Sequence, residues 1–445
     1  MAMSWTEMQQ LLASDTAGKD VFGCSVSLNG DTALIGAMYD HDNGYDAGAA
    51  YVFTRTGTTW TQQAKLIASD GEQQDDFGCS VSLSGNTALI ASLWDDDSGE
   101  NSGSAYIFTR TGATWTQQAK LLASDGAVDD YFGFSVSVSG DTALIGTFVG
   151  EIDRMGSAYV FTRTGTTWTQ QQKLLASDGA ESDQFGCSVS LNGDTALIGA
   201  YHDDDNGNES GSAYVFTRTG TTWTQQAKLL ASDGAAGDFF GWSVALSGDT
   251  ALIGAKWDND NGDQSGSAYV FTRTGTTWTQ QAKLLASDGE MYDDFGYSVS
   301  LSGNTALIGV DGDDDNGAES GSAYVFTRNG TTWTQQAKLL ASDGTSWELF
   351  GGSVALDDDT VLIGAIGYEK YKGSTYVFIR TGITWTEQTK LFTSCGANDE
   401  CDWAQLQVMM LKGTTYIPSL FLELIERLMQ RFPNAFPILR HLIGH

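Results

Sequence analysis

A chain of 445 residues with 41% hydrophobic content has ample material for burial, and its length would ordinarily suggest two or three domains. A formal net charge of −33 argues against nucleic acid or anionic lipid as a partner. No apolar run reaches the roughly 18 residues that a spanning helix needs, and no signal peptide is visible, because Met1–Ser4 runs straight into a β-like segment.

That segment, Trp5–Ala13, stands alone at the start. From Phe22 onward one sentence recurs, opened by Phe-Gly at Phe22, Phe77, Phe132, Phe185, Phe240, Phe295 and Phe350. The spacing is 55 residues, except for 53 between the third and fourth copies. A fixed period of this size means a solenoid, a propeller or an array.

Each copy holds four β-like segments. In the fifth, Ser243–Ser247 alternates apolar with small polar residues, and a tight Ser-Gly-Asp-Thr hairpin follows. Ala251–Ala255 is a short apolar run suited to a strand buried on both faces. After a longer polar loop come Ala268–Thr272, a turn at Arg273–Thr277, and Trp278–Ala286. Nothing has helical spacing. Four antiparallel strands repeated seven times predict an all-β fold, a seven-bladed propeller. One such sheet cannot cover its two apolar faces, whereas radial stacking covers both and closure removes exposed end blades. An open stack would need atypical caps, and copies two and six carry none.

Eight Trp segments (Trp5, Trp60, Trp115, Trp168, Trp223, Trp278, Trp333, Trp385) face seven Phe-Gly units, so one is surplus. Local connection favours Trp385 in blade seven and leaves Trp5–Ala13 at the seam or capping it. Alternatively, Ala404–Leu411 and Thr414–Ile417 resemble a decayed first hairpin that, with Trp5–Ala13, would make a partial eighth blade. All three prolines (Pro418, Pro433, Pro437) follow the repeats and mark a boundary near residue 400. The expected domains are a propeller over 1–400 and a tail over 401–445. The tail holds the degenerate β segment and an amphipathic helix, Ser419–Arg431, which ends before Pro433. This helix would dock on the propeller or on a partner. Cys395 and Cys401 either form a local disulfide or stay free. Cys24, Cys79 and Cys187 share one slot after Phe-Gly with Phe134, Trp242, Tyr297 and Gly352, which reads as a packing position.

The elements F-G-x-S-V-S-L-x-G-D-T-A-L-I-G-A and G-S-A-Y-V-F resemble the FG-GAP repeat over roughly residues 5–395. The resemblance implies the seven-bladed head of integrin α chains and of many microbial surface proteins. It also implies an extracellular or cell-surface location and an adhesion role. Two departures stand out. The proline of Gly-Ala-Pro is missing, as at Gly254-Ala255-Lys256. The Asp-rich calcium loop that integrin-type repeats carry between strands 1 and 2 is replaced by the short hairpin.

In such a blade, connections 2–3 and 4–1 lie on one rim and hairpins 1–2 and 3–4 on the other. Sorted this way, 42 of the 56 Asp and Glu residues fall on the first rim. Seven arginines (Arg273 and its equivalents) fall on the opposite rim. Seven lysines (Lys65, Lys120, Lys173, Lys228, Lys283, Lys338, Lys390) fall on strand 4, where a charge guards the outer edge against aggregation. Bound cations would relieve the crowding of carboxylates.

Five 2–3 loops share Asp-x-Asp-Asn/Ser-Gly: Asp40/Asp42/Asn43, Asp95/Asp97/Ser98, Asp203/Asp205/Asn206, Asp258/Asp260/Asn261 and Asp313/Asp315/Asn316. Alternate oxygens before a glycine can wrap a hard cation, and calcium wants six to eight oxygens. The neighbouring 4–1 loop, with Asp233 and Asp238 or Asp288 and Asp293, would complete the shell. The same residues are also ordinary turn formers. Blades three and seven carry different 2–3 loops, 148–156 and 367–373. Only His41 and His202 lie in the repeats, and no nucleophile–histidine set is suggested. The expectation is a non-enzymatic adhesion module whose acidic rim binds protein or glycan, with calcium as the candidate cofactor. The rivals are a structural surface protein, and a hydrolase or lyase at the axial end beside the unlike blades.

Overall fold

Phe-Gly recurs because it is where one blade is fastened to the next. The Phe240 N–H donates to the Ser210 carbonyl of the preceding blade at 3.1 Å, and six equivalents do the same. One of them, Phe22 N to Lys372 O at 3.1 Å, joins blade one to blade seven. The phenylalanine ring is fully buried, edge-on to its own third strand: Phe240 lies 5.3 Å from Tyr269 and 6.0 Å from Phe271, centroid to centroid. Gly241 then takes a left-handed φ of 95° and presses its carbonyl onto Gly199 of the preceding blade, where a Cβ would lie 2.0 Å away.

The computed structural model describes residues 11–13, 20–148, 155–367 and 372–393. They form seven antiparallel sheets of four sequential strands, a seven-bladed β-propeller. Blade five pairs Phe240–Ser247, Thr250–Ala255, Ser267–Thr274 and Thr277–Leu284 in chain order. The second strand is buried at every position, as an apolar run between two covered faces requires. Its side chains alternate between neighbours. Ile253 joins Leu197 and Val215 of blade four, while Leu252 joins Ile308 and Tyr324 of blade six. The same alternation at the seam puts Ile35, Tyr51 and Trp60 against Leu362, Val377 and Leu391, so the ring is closed by a core like the others.

The surplus segment finds its place there. Leu11–Ala13 pairs in parallel with the last strand, Leu11 opposite Leu391, and adds a fifth strand outside blade seven. Trp385 therefore belongs to blade seven, and among the described residues there is no eighth sheet. The chain divides after Ala397. The segments Ala404–Leu411 and Thr414–Ile417, the expected helix Ser419–Arg431, and Cys395 and Cys401 lie outside the described residues. Among the described residues, no helix is long and apolar enough to cross a membrane.

Side-chain belts add to the backbone seam. Trp278 Nε1 donates to Gln226 Oε1 of the preceding blade at 3.0 Å, and Trp60 to Gln388 at 3.2 Å across the closure. At the arginine end, Arg273 donates from Nε to Asp249 of its own 1–2 hairpin at 2.7 Å. Its Nη1 reaches Thr195 of the preceding blade at 3.0 Å. Hairpins 1–2 and 3–4 thus share one end, and the acidic loops hold the other.

Candidate binding end of the ring

The strand-4 lysines are not the outer-edge charges expected from their place on strand 4. A β-bulge between Val270 and Phe271 offsets the pairing of strands 3 and 4. Each long stem then runs back over the tyrosine of strand 3 toward the acidic end. Lys283 Nζ lies 5.1 Å from the Tyr269 ring centroid and contacts Asp258 at 2.8 Å, Asp260 at 2.7 Å and Asp233 at 3.0 Å. Lys120 contacts Asp95, Asp97 and Asp70, Lys228 contacts Asp203, Asp205 and Asp178, and Lys338 contacts Asp313, Asp315 and Asp288, all at 2.6–3.1 Å. Lys65 contacts Asp40 at 2.8 Å and Asp42 at 2.6 Å. In blades three and seven, whose 2–3 loops differ, Lys173 and Lys390 keep the 4–1 partner, Asp125 and Asp343.

The structure thus brings together both aspartates of every predicted pair, but around an ammonium. The remaining donor positions are also engaged. Asp258 Oδ1 accepts the Asp260 N–H at 3.1 Å, and Oδ2 accepts the Tyr269 hydroxyl at 2.7 Å. The amides of Asn43, Asn206, Asn261 and Asn316 donate to carbonyls of the following 4–1 loop, at Ala68, Ala231, Ala286 and Ala341. They brace loop against loop. Asp238 and Asp293 accept N–H groups within their own loops, from Ala235 and Glu290 at 2.7 Å, which leaves them as turn formers. Among the described residues, no three His, Cys, Asp or Glu side chains are grouped to hold a metal. The centre of this arrangement is taken by the ammonium.

Burial works against the charges of Asp233 and Asp288. The Lys283 ammonium more than offsets it for the first, as the Tyr324 hydroxyl and Lys338 do for the second, and both carboxyls are held below the usual range. Burial likewise opposes the Lys283 charge, and Asp258 and Asp260 outweigh it, raising its pKa.

Nearer the axis the blades cease to be alike. Residues of the first strands line an open hollow of about 250 Å³, among them Cys24, Cys79, Cys187, Trp242, Tyr297 and Gly352. The slot expected only to pack therefore faces the axis. Two further positions vary at the same end. The first is the residue before Phe-Gly, left-handed in every blade, from Tyr131 at φ 45° to Asp294 at φ 60°. The second follows strand 2 and reads Met38, Leu93, Phe148, Tyr201, Lys256, Asp311, Ile366.

In blades four to six these positions assemble a cluster. Phe239 stacks on Trp257 at 4.2 Å, and Tyr201 meets Trp242 edge-on at 4.9 Å. Lys256, only 8% exposed, sets Nζ 3.5 Å from the Trp242 centroid and 5.2 Å from that of Tyr297. Burial pulls its pKa down, opposed by Asp294 and Asp311. Burial also pushes Asp311 up to about 8, with Asp294 adding to the effect, and its Oδ1 is buried without a hydrogen-bond partner. Sequence reasoning missed Lys256, Trp257, Asp294 and Asp311. Aligning the seven copies and asking where they differ would have found them.

Architecture and loop chemistry define a repeat propeller with one acidic, locally asymmetric end. The chain belongs to the FG-GAP repeat family, whose model matches residues 5–53, 60–108, 115–161, 168–216, 223–271, 278–326 and 333–378. No curated protein matches it over its sequence. Among solved structures it is similar to a hypothetical selenium-binding protein from Sulfolobus tokodaii. That match has a TM-score of 0.53 at 8% identity and covers 83% of this chain and 96% of the other. It is also similar to a candidate 6-phosphogluconolactonase from Bacteroides uniformis, with a TM-score of 0.53 at 11% identity, covering 82% and 96%. At these identities the likeness concerns the fold alone.

Proposed function

We propose that the chain is a non-enzymatic interaction module of adhesive type, acting outside the cell. Its contact surface is the acidic end of the ring, and its partner is a protein or a glycan. The observation that carries this reading is the distribution of differences among the copies. Strands, arginine belt and lysine cradles repeat almost unchanged, while the positions around the axial mouth diverge. A surface used only for structure has no need of such asymmetry. Exposed rings at this end, including Trp94 at 41% and Phe134 at 38%, offer flat apolar faces. The surrounding carboxylates disfavour anionic ligands.

The reading is tested with immobilised neutral and anionic polysaccharides and a panel of immobilised proteins. Wild type is compared with Trp257→Ala at the mouth and Arg273→Ala at the opposite end. A ligand whose affinity falls at least tenfold in the first variant and stays within twofold in the second supports it. Binding lost only in Arg273→Ala, or no ligand in either class, removes it.

A second reading, a hydrolase or lyase at the axial end, is favoured by one observation: Lys256, Asp294 and Asp311 share a buried corner between blades five and six, away from the unlike blades three and seven. Turnover of an ester, lactone or glycoside probe that vanishes in Asp311→Asn would favour it over the first.

A further inference from the structure

We propose that the strand-4 lysine is the resident cation of each blade. Its ammonium occupies the place that a divalent ion would take among the carboxylates of the 2–3 and 4–1 loops. The native acidic end is therefore cross-linked without metal, and a divalent site opens only when the lysine is removed.

Three observations carry this. First, in four blades the ammonium is the point on which three carboxylates from two loops converge, each Oδ2 within 3.1 Å. Blade one shows two such contacts. Second, the lysine side chain is only 14–16% exposed in these blades, and the inner aspartate is 3–4% exposed. An ionised carboxylate at that depth is costly without a partner, and the ammonium is the cation that the structure places beside it. Third, where the Asp-x-Asp loop is absent the lysine still bridges to the 4–1 aspartate, Lys173 at 35% exposure and Lys390 at 17%. The ammonium ties two loops of its blade to strand 4 through a covalent stem. Unlike calcium it cannot dissociate, so the stability it gives does not depend on ligand concentration.

The test uses the full chain, freed of metal with EDTA. Thermal melts are recorded with EDTA, with calcium chloride and with magnesium chloride at matched ionic strength, for wild type and Lys283→Ala. Wild type is expected to melt at one temperature in all three. Lys283→Ala, which leaves Asp233, Asp258 and Asp260 facing a vacated space, is expected to melt several degrees lower in EDTA. Calcium should restore most of the loss and magnesium less, and calorimetry should detect one calcium site absent from wild type. If Lys283→Ala does not fold, Lys338→Ala reports on the same arrangement one blade on, and the wild-type melts stand by themselves. A calcium-specific rise in wild type overturns the proposal. So does a folded lysine variant that is destabilised yet indifferent to calcium, since the ammonium would then not be standing where a divalent ion can.

Discussion

Gly266→Ala is expected to lose upwards of about 4 kcal/mol and to leave the ring open or unfolded. Gly266 opens strand 3 of blade five with φ 77° and bridges to Phe295 of blade six. A Cβ there would lie 2.2 Å from the Phe295 carbonyl oxygen and 2.4 Å from its nitrogen. Both are backbone atoms, held by the Phe295 N to Ser265 O hydrogen bond at 3.0 Å. Nothing can yield without parting the blades, and the left-handed φ adds about 1–2 kcal/mol for any side chain.

Gly254→Ala provides the contrast. Its Cβ would also fall close to a carbonyl, 2.1 Å from Gly296 O. Yet blade two already carries Ala91 at the equivalent position. There Gly133 sits with its own pseudo-Cβ 3.0 Å from the Ala91 methyl, and strand pairing is intact. The backbone at that position is not left-handed, so a small shift suffices. Gly254→Ala is expected to cost about 1 kcal/mol, in the lower range for overpacking. Urea midpoints of the two variants decide the matter. Equal losses would show that the Phe-Gly seam is not held as described.

The second large effect is in pH. Burial pushes Asp183, Asp238 and Asp293 up to about 6 and Asp76 up to about 7, against backbone N–H donors in the first three. A carboxyl whose folded pKa is raised contributes stability that is complete below its unfolded value near 4 and is lost as pH rises through the folded value. Asp233, Asp288 and Asp343 act in the opposite sense. Their depressed values give stability above the unfolded pKa that disappears as pH falls through the folded one. The two groups together place the maximum melting temperature at about pH 4–5, with a decline on either side. Mutual repulsion in a chain of net charge −33 strengthens the decline on the alkaline side.

Asp238→Asn isolates one contribution. The amide oxygen can still accept the Ala235 N–H, and the buried charge is gone. At pH 8 the variant is expected to be more stable by on the order of 2 kcal/mol, and at pH 4 to match wild type. A wild-type melting temperature that climbs steadily from pH 5 to pH 8 would contradict this account.

Much of the architecture is legible in the chain because its causes are local and repeated. The apolar run at Ala251–Ala255, the hairpin before it and the 55-residue period each restrict the backbone independently, and seven copies agree. Burial of two faces then leaves radial closure as the stable arrangement. The gathering of acidic loops at one end follows from antiparallel order alone.

The cation within those loops was not legible. Strand alternation assigns a face to Lys283 but not a destination for its ammonium, which sits at the end of a flexible four-carbon stem. The bulge in strands 3 and 4 and the attraction of Asp233, from a loop 50 residues away, decide that. The axial cluster escaped for a related reason. Phe239 and Lys256 belong to blade five, and Asp294 and Asp311 to blade six, so only the packing of one blade on the next sets them side by side. Composition and period determined how the backbone folds. Where charges meet their partners was decided by contacts between segments far apart in sequence, because Coulomb and ring-stacking energies depend on distances that no local pattern specifies.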